Sequence, residues 1–216
     1  MKIVNLDKIE LEKNSQVAYT TKLNIFRLNN IYPHEETIED SNITYDIVRN
    51  SRLVLGAEFI LEDDFIEIKD KLFILDGHHR FHFIKENKID EEIDVVLIDL
   101  KIVSIESYNC KLLVNKEDFV NKIRNDHMFT NNKHSLTNPY ITINKEKYFS
   151  DKIFNLKDLY AYKKLLMQKK IIKPIPNNLE HSSEIIQFSP LSYEDFECGY
   201  VFPYKSTWIT PRFDNH

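Results

Sequence analysis

Short apolar runs and amphipathic stretches alternate along the chain, which predicts a mixture of strands and helices. Residues 72–75 and 95–98 are runs of four apolar residues, the length typical of buried strands. Residues 156–170 instead place leucines and a tyrosine near one face of a helix. The order of these elements predicts an α+β fold with a mixed β-sheet core and flanking helices.

In chain order, the pattern predicts a strand over 17–28, a loop over 32–37, a helix over 39–55 and a hairpin over 58–61 and 65–69. It then predicts a strand over 72–75 with a helix to 87, a strand over 92–99, and one or two strands over 101–114. The remainder is predicted as a helix over 116–126, a loop over 130–150, a helix over 156–170, a strand over 184–188 and an irregular tail over 200–216.

The segment Asp76-Gly77-His78-His79-Arg80 lies between the apolar run 72–75 and the apolar-aromatic stretch 81–84. This pattern predicts a buried strand, a sharp turn at Gly77, and a helix that begins inside the segment. Helix N-termini present unpaired N–H groups and a partial positive charge, so they bind phosphate. Two imidazoles and a guanidinium at such a position indicate a nucleotide or phosphate site.

Asp76 has two compatible interpretations, an N-cap for this helix or a carboxylate that orients the phosphates and binds Mg²⁺. His78 and His82 are four residues apart and, with His34 or a carboxylate as the third ligand, form an alternative zinc hypothesis, which their spacing supports only weakly.

Overall charge and hydropathy exclude several classes of protein. The net charge is −5 and the isoelectric point is about 5.9, without a block of basic residues, which argues against a nucleic-acid partner. No apolar run approaches the ~20 residues needed to span a bilayer, so we expect no membrane partner. The first 14 residues lack an apolar signal core, and a cytoplasmic location is therefore expected.

Two further segments carry candidate chemistry. Glu35 and Glu36 lie in a predicted loop, where they either open the following helix or supply a carboxylate that takes a proton from a hydroxyl group. Lys205, Ser206 and Thr207 either form an ordinary C-terminal loop or bind a carboxylate or phosphate through an ammonium and two hydroxyls.

Three segments together resemble one group of proteins. They are Ile-Tyr-Pro-His-Glu-Glu-Thr at 31–37, Leu-Asp-Gly-His-His-Arg-Phe at 75–81 and Val-Phe-Pro-Tyr-Lys-Ser-Thr at 201–207. The chain resembles the free serine kinase branch of the ParB/sulfiredoxin-like superfamily. It is also similar to a larger uncharacterised family with His-Glu-x-Thr, Asp-Gly-His-His-Arg and Lys-Ser-Thr segments.

The resemblance implies a ParB/sulfiredoxin-like nucleotide-binding core over 1–115 and a C-terminal α/β extension over 116–216 that completes the substrate site. It implies phosphoryl transfer from ATP or ADP, with Mg²⁺, to the hydroxyl of free L-serine or a similar hydroxy amino acid. Glu35 would be the general base, with Asp76 and His79 as further catalytic residues. Gly77, His78, His79 and Arg80 would hold the phosphates. Glu36, Thr37, Lys205, Ser206 and Thr207 would contact the amino acid.

Other hypotheses compete with the kinase. A ParB-like nucleotide-binding or regulatory protein would share the core but make no small-molecule product, and a degenerate binding module would keep the pocket without catalysis. Sulfiredoxin-type reduction needs a cysteine in the phosphate segment, where this chain has His78 and His79. At the C-terminal segment, Trp208 and Ile209 follow Thr207, whereas free serine kinases tend to have Lys-Thr-Thr-Arg-His, so the acceptor stays open.

Overall fold

The chain folds into two units. The structure, a computed structural model, describes residues 2–3, 7–10, 17–37, 42–62, 65–68, 71–126, 128–131, 138–177, 184–192, 194–195 and 199–211. The first unit comprises Met1–Ser104 with the C-terminal segments Phe196–Val201 and Ile209–His216, and the second comprises Ile105–Asp195 and Phe202–Trp208. How the two units divide nucleotide and substrate binding stays a prediction.

A mixed six-stranded sheet forms the centre of the first unit. Its strands are β2 (Asp7–Glu10), β3 (Val17–Leu23), β4 (Ile31–Pro33), β5 (Leu53–Ala57), β8 (Leu72–Asp76) and β9 (Ile93–Asp99), in the spatial order β2-β3-β9-β5-β8-β4. A separate three-stranded sheet contains β1 (Lys2–Ile3), β6 (Phe59–Glu62) and β7 (Phe65–Ile68). The predicted α+β fold with a mixed sheet is confirmed.

The core of the first unit is built from the apolar runs that predicted its strands. Leu55, Ile74, Val95 and Leu97 are fully buried, and they lie on three neighbouring strands. β5 pairs parallel to β9 and antiparallel to β8, with a register shift between Val54 and Leu55. All three strands are rich in apolar residues, and in β9 the buried positions Ile93, Val95 and Leu97 alternate with half-buried ones.

The predicted helix over 39–55 is wrong for most of its length. Residues 39–41 lie outside the described residues, and the helix α1 covers only Tyr45–Arg49, with Thr44 as its N-cap. The chain then enters β5, in the middle of the sheet. The helix begins nine residues after Glu36, so Glu35 and Glu36 do not open it.

Helix α2 (His78–Glu86) follows β8, as the sequence predicted. Lys85, in its last turn, donates hydrogen bonds from Nζ to the carbonyl oxygens of Phe26 and Leu28, at 3.0 and 2.8 Å. Burial lowers the pKa of Lys85. These bonds attach the end of α2 to the loop that leads into β4.

An antiparallel six-stranded sheet and two helices form the second unit. The strands are β11 (Cys110–Leu112), β12 (Phe129–Thr130), β13 (Tyr140–Ile143), β14 (Glu146–Ser150), β15 (Ile172–Pro174) and β16 (Ile185–Phe188), in the spatial order β12-β14-β13-β16-β11-β15. Helices α3 (Lys116–Asn125) and α4 (Leu156–Gln168) begin at Asn115 and Asn155, whose side chains accept hydrogen bonds from first-turn N–H groups. Both helices were predicted within a few residues.

Two stretches of the second half differ from the prediction. Residues 140–150, within the predicted loop, form the hairpin β13–β14, in which Asn144 and Lys145 turn at positive φ values of 51° and 67°; residues 132–137 of that loop lie outside the described residues. The tail contains β17 (Thr207–Pro211), while residues 212–216 are not described. The remaining elements are β10 (Val103–Ser107) and a short 3₁₀ helix, Leu100–Ile102.

None of the helices in the described parts of the chain is long and apolar enough to cross a bilayer.

Candidate functional site

Two parallel strands bring the candidate residues of the first unit together. β4 runs parallel to β8, with Ile31 opposite Leu72 and Pro33 opposite Ile74. Because parallel strands end at the same edge of a sheet, His34 and Glu35 emerge beside the end of β8. The structure thus joins the 31–37 and 75–81 segments, which are some 40 residues apart in the sequence.

Gly77 makes the corner between β8 and α2. It is the N-cap of α2, with φ 96° and ψ 27°, a conformation that favours glycine. A Cβ atom at this position would lie 2.4 Å from Leu53 Cδ2 and 2.9 Å from Arg80 Nη2. Glycine has no side chain with which to accept bonds from the first-turn N–H groups, so the backbone at this helix end remains suited to an anion. We call residues 76–80 the glycine corner.

Asp76 is the last residue of β8 and not the N-cap of α2, which corrects one of its two interpretations. Its carboxylate is 72% exposed and accepts a hydrogen bond from Arg80 Nη2 at 2.8 Å, one helical turn away. The Arg80 side chain is only 16% exposed. The ion pair therefore places a guanidinium fork and a carboxylate side by side at the helix end.

Two neutral imidazoles lie behind this corner. The rings of His34 and His78 meet edge to face, with centroids 4.8 Å apart and an angle of 73°. Burial is the main cause that lowers the pKa of His34 to about 4, while a hydrogen bond to the Ile74 backbone acts in the opposite direction. Burial, followed by the neighbouring His34, also lowers the pKa of His78 to about 4, against the opposing charges of Glu35 and Asp76. Both rings are therefore uncharged near neutral pH.

His78 also has a hydrogen-bonding atom without a protein partner. Its Nε2 is buried and, within the described residues, makes no hydrogen bond. Such an atom normally costs stability, so a bound ligand or water is the usual reason for keeping it. A neutral imidazole nitrogen can either donate to or accept from such a ligand.

Glu35 is the buried member of the acidic pair. It is 8% exposed, and its Oε1 lies 3.9 Å from Nε2 of His34. Glu36 and Thr37, which follow it, are half-buried. The structure thus distinguishes the two neighbouring glutamates, which the sequence could not do.

The other candidate residues of α2 have different surroundings. His79 is half-buried, whereas His82 is exposed and lies 3.0 Å from Glu86 Oε1 on the same helix. Within the described residues, no three His, Cys, Asp or Glu side chains are grouped to hold a metal ion, so the zinc hypothesis gains no support. Mg²⁺ differs in that it needs only one or two carboxylates besides substrate phosphates and water. The exposed carboxylate of Asp76 beside the N-terminus of α2 fits that requirement.

The 205–207 segment belongs to the second unit. Lys205 has a positive φ of 57°, and its Nζ lies 5.0 Å from the centre of the Tyr108 ring. Ser206 is fully buried and donates from Oγ to the carbonyl of Pro203 at 2.5 Å, while Thr207 is 8% exposed. The role of these three residues in substrate binding stays a prediction.

His34 is the residue that the sequence interpretation undervalued, since it entered only as a candidate zinc ligand. The cue was its position. It lies one residue before Glu35 and directly after Ile-Tyr-Pro, in which the proline is typical of an edge strand.

Comparison with known proteins supports the fold and leaves the family open. No family model and no curated protein sequence matches this chain. Among solved structures, SbnI from Staphylococcus aureus is 16% identical, with a TM-score of 0.57 over 89% of this chain and 82% of that one. A conserved hypothetical protein from Pyrococcus furiosus is 14% identical, with a TM-score of 0.52 over 90% and 91% of the two chains.

A mutant of free serine kinase in complex with ADP is 10% identical, with a TM-score of 0.54 over 98% of this chain and 92% of that one. At these identities the likeness defines the class of fold: a mixed α+β fold that free serine kinase and SbnI share. The ParB/sulfiredoxin assignment stays a prediction.

Proposed function

We propose that this protein is a small-molecule kinase that transfers a phosphoryl group from ATP or ADP to the hydroxyl of free L-serine or a similar hydroxy amino acid. The observation that carries the proposal is the meeting of a buried carboxylate, Glu35, with the glycine corner at the common end of two parallel strands. An acceptor base beside an anion-binding helix end is the arrangement that phosphoryl transfer requires. The fold shared with free serine kinase supports it.

In this proposal the glycine corner holds the phosphates of the donor. First-turn N–H groups of α2 and the Arg80 guanidinium bind phosphate oxygens, and the His78 Nε2 completes the contact. Because Gly77 lacks a Cβ, the Arg80 guanidinium can lie close to the backbone of the corner. Mg²⁺, held with the nucleotide by Asp76, would neutralise charge on the transferring group.

Glu35 acts as the general base. Its carboxylate takes the proton of the acceptor hydroxyl while that oxygen forms a bond to the terminal phosphorus. The bond from this phosphorus to the bridging oxygen breaks, and ADP leaves when ATP is the donor, or AMP when ADP is the donor. The uncharged His34 ring beside Glu35 adds no positive charge next to this carboxylate.

A screen of free amino acids with ATP and with ADP, read by mass spectrometry for phosphorylated products, tests the reaction. Glu35→Gln should abolish product while nucleotide affinity, measured by calorimetry, changes little. Glu36→Gln is the matched control, because it removes the neighbouring half-buried carboxylate, and it should retain turnover. Full activity in Glu35→Gln would exclude Glu35 as the base.

Nucleotide binding has its own test. Arg80→Ala should weaken ATP or ADP binding by roughly 1.5–3 kcal/mol, the contribution of a charged hydrogen bond. His82→Ala, on the same helix but exposed and paired with Glu86, should bind as the parent does. Equal affinities for the two variants would remove Arg80 from the phosphate site. Nucleotide binding without any phosphorylated product would instead favour the ParB-like binding protein.

A further inference from the structure

A lysine lies in the interior of the second unit. Lys163 is on the face of α4 that also carries the buried residues Leu159, Tyr160 and Leu166, and it is 0% exposed. The aromatic rings of Tyr160 and Phe188 each lie 5.2 Å from its Nζ. Burying an ammonium group is costly, and an apolar side chain of similar length would fill this volume without that cost. The charge therefore requires an explanation other than packing.

The hydrogen bonds of Lys163 supply one. Its Nζ donates to the backbone carbonyls of Tyr108 at 3.1 Å and of Lys205 at 2.9 Å. A single ammonium thus joins α4 to two chain segments that are almost 100 residues apart. A buried backbone carbonyl needs a hydrogen-bond donor, which an apolar side chain cannot supply. A lysine ammonium that reaches the interior can donate to both carbonyls and so hold the two segments.

Tyr108 makes two further contacts with the 205–207 segment and one with the adjacent Trp208. Its N–H donates to the carbonyl of Ser206 at 3.1 Å. The Lys205 Nζ lies 5.0 Å from its ring centre, and the Trp208 ring meets it edge to face at 5.1 Å. The residue on the left-handed backbone, Lys205 with φ 57°, is the one whose carbonyl Lys163 holds. The conformation of the segment is therefore fixed from α4 and from Tyr108 at once.

We propose that Lys163 is a positioning residue, which holds the 205–207 segment so that the Lys205 ammonium and the neighbouring backbone face the acceptor amino acid. The assignment of that segment to the acceptor rests on the proposed function. The positioning itself does not, and it can be measured on the protein without any substrate. Trp208, the single tryptophan of the chain, adjoins the segment and reports its environment.

The experiment compares the parent protein, Lys163→Met and the control Lys164→Met, which replaces the half-buried neighbouring lysine on the same helix. Hydrogen–deuterium exchange with mass spectrometry follows residues 202–208 and α4, and acrylamide quenching follows Trp208. In the parent, the Tyr108 amide should exchange as slowly as the amides of α4. In Lys163→Met, exchange of 202–208 should rise ~tenfold or more while α4 stays protected. Lys164→Met should match the parent in both measurements.

Kinetics add a second readout. Lys163→Met should raise KM for the acceptor ~tenfold with a smaller change in kcat and an unchanged Kd for the nucleotide, because misplacement affects one substrate only. Lys163→Gln keeps an N–H donor group on a shorter side chain, so it should fall between the parent and Lys163→Met. It provides the comparison if the methionine variant does not fold.

Several outcomes overturn the proposal. One is rapid exchange of the Tyr108 amide in the parent, and another is a folded Lys163→Met whose 202–208 exchange and Trp208 quenching equal those of the parent. Uniform loosening of the whole second unit would show a packing role instead. A parent that is inactive toward every amino acid would reject the proposed function, whereas the exchange and quenching results would still decide whether Lys163 holds the segment.

Discussion

The glycine corner allows a sharp test of why the chain has glycine at residue 77. Gly77→Ala adds one methyl group at φ 96°, with its Cβ 2.4 Å from Leu53 Cδ2. Leu53 is 1% exposed and lies in a central strand, so it has little room to move away. The other close atoms belong to the end of the Arg80 side chain, which can shift at low cost.

Two costs and one gain set the expected magnitude. Holding a non-glycine residue in a strained backbone conformation costs about 1–3 kcal/mol, and forcing a methyl group into a packed interior costs about 1–3 kcal/mol more. Alanine restricts the unfolded chain, which offsets about 0.4–1 kcal/mol. We therefore expect Gly77→Ala to lower the free energy of unfolding by about 3 kcal/mol.

Gly199 provides the matched control. It also has a positive φ, 73°, but a Cβ there would meet no atom within 4 Å. Gly199→Ala should therefore show backbone strain alone, a net loss of about 1 kcal/mol. Urea unfolding followed by circular dichroism, with the same probe for each variant, measures both free energies.

A third variant isolates the contact with Leu53. In a Leu53→Ala background the space for the new methyl group is open, so Gly77→Ala should then cost only about as much as Gly199→Ala, ~1 kcal/mol. If Gly77→Ala costs the same in both backgrounds, and no more than Gly199→Ala, the steric account of the corner is refuted.

Three further predictions concern stability. The pKa of His34 and of His78 is about 4, below the ordinary 6.5, so the unfolded chain binds more protons and stability should fall as pH drops from about 6.5 towards 4. The loss in the free energy of unfolding should approach ~3 kcal/mol for each ring considered alone. Urea unfolding midpoints between pH 7.5 and 4.5 measure it, and His78→Gln should make stability depend less on pH. A parent protein whose stability does not change over this range would contradict the burial argument. Asn155→Ala removes the N-cap of α4 and should cost about 1 kcal/mol in the same unfolding assay, with Lys157→Ala as a control on the same first turn. Lys85→Met leaves the carbonyls of Phe26 and Leu28 without their donor and should lower the free energy of unfolding by ~1–3 kcal/mol. Amide hydrogen exchange should become faster in residues 24–30. Unchanged exchange there would show that these bonds do not hold the loop.

The strand-turn-helix at the glycine corner was predictable because three independent cues agree. An apolar run, a glycine and a helical apolar pattern follow one another over residues 72–86, and the structure places β8, Gly77 and α2 there. By contrast, residues 53–57 form a buried strand, although their apolar sequence would fit a buried helix equally well. Periodicity cannot separate the two, and only pairing with β8 and β9 decides for the strand.

The hairpin over 140–150 was missed for a different reason. Its turn consists of Asn144 and Lys145, both at positive φ, without the glycine that marks most such turns. Ile141 and Ile143 alternate into the core, but two residues are too few to stand out in a polar stretch.

The sequence predicted the candidate site residues by their chemical type, and the structure shows which of them lie close together. The pairing of Ile31 with Leu72 joins two segments that are distant in the sequence. This pairing explains why Glu35 lies beside the end of β8, the strand that leads to Gly77. The exposure of Glu35 relative to Glu36 also depends on that pairing, since two adjacent glutamates are equivalent in a linear pattern.

The strand that leads to Glu35, β4, is a three-residue strand that pairs with β8 alone among the described strands, whereas β8 lies inside the sheet. In the proposed kinase, the proton acceptor therefore follows a strand with fewer backbone partners than the strand that leads to the proposed phosphate-binding residues. Substitutions in β4 should therefore disturb the backbone pairing of the sheet less than substitutions in β8. Evolved variants that bind nucleotide but have lost phosphoryl transfer should therefore arise more readily than variants that have lost nucleotide binding.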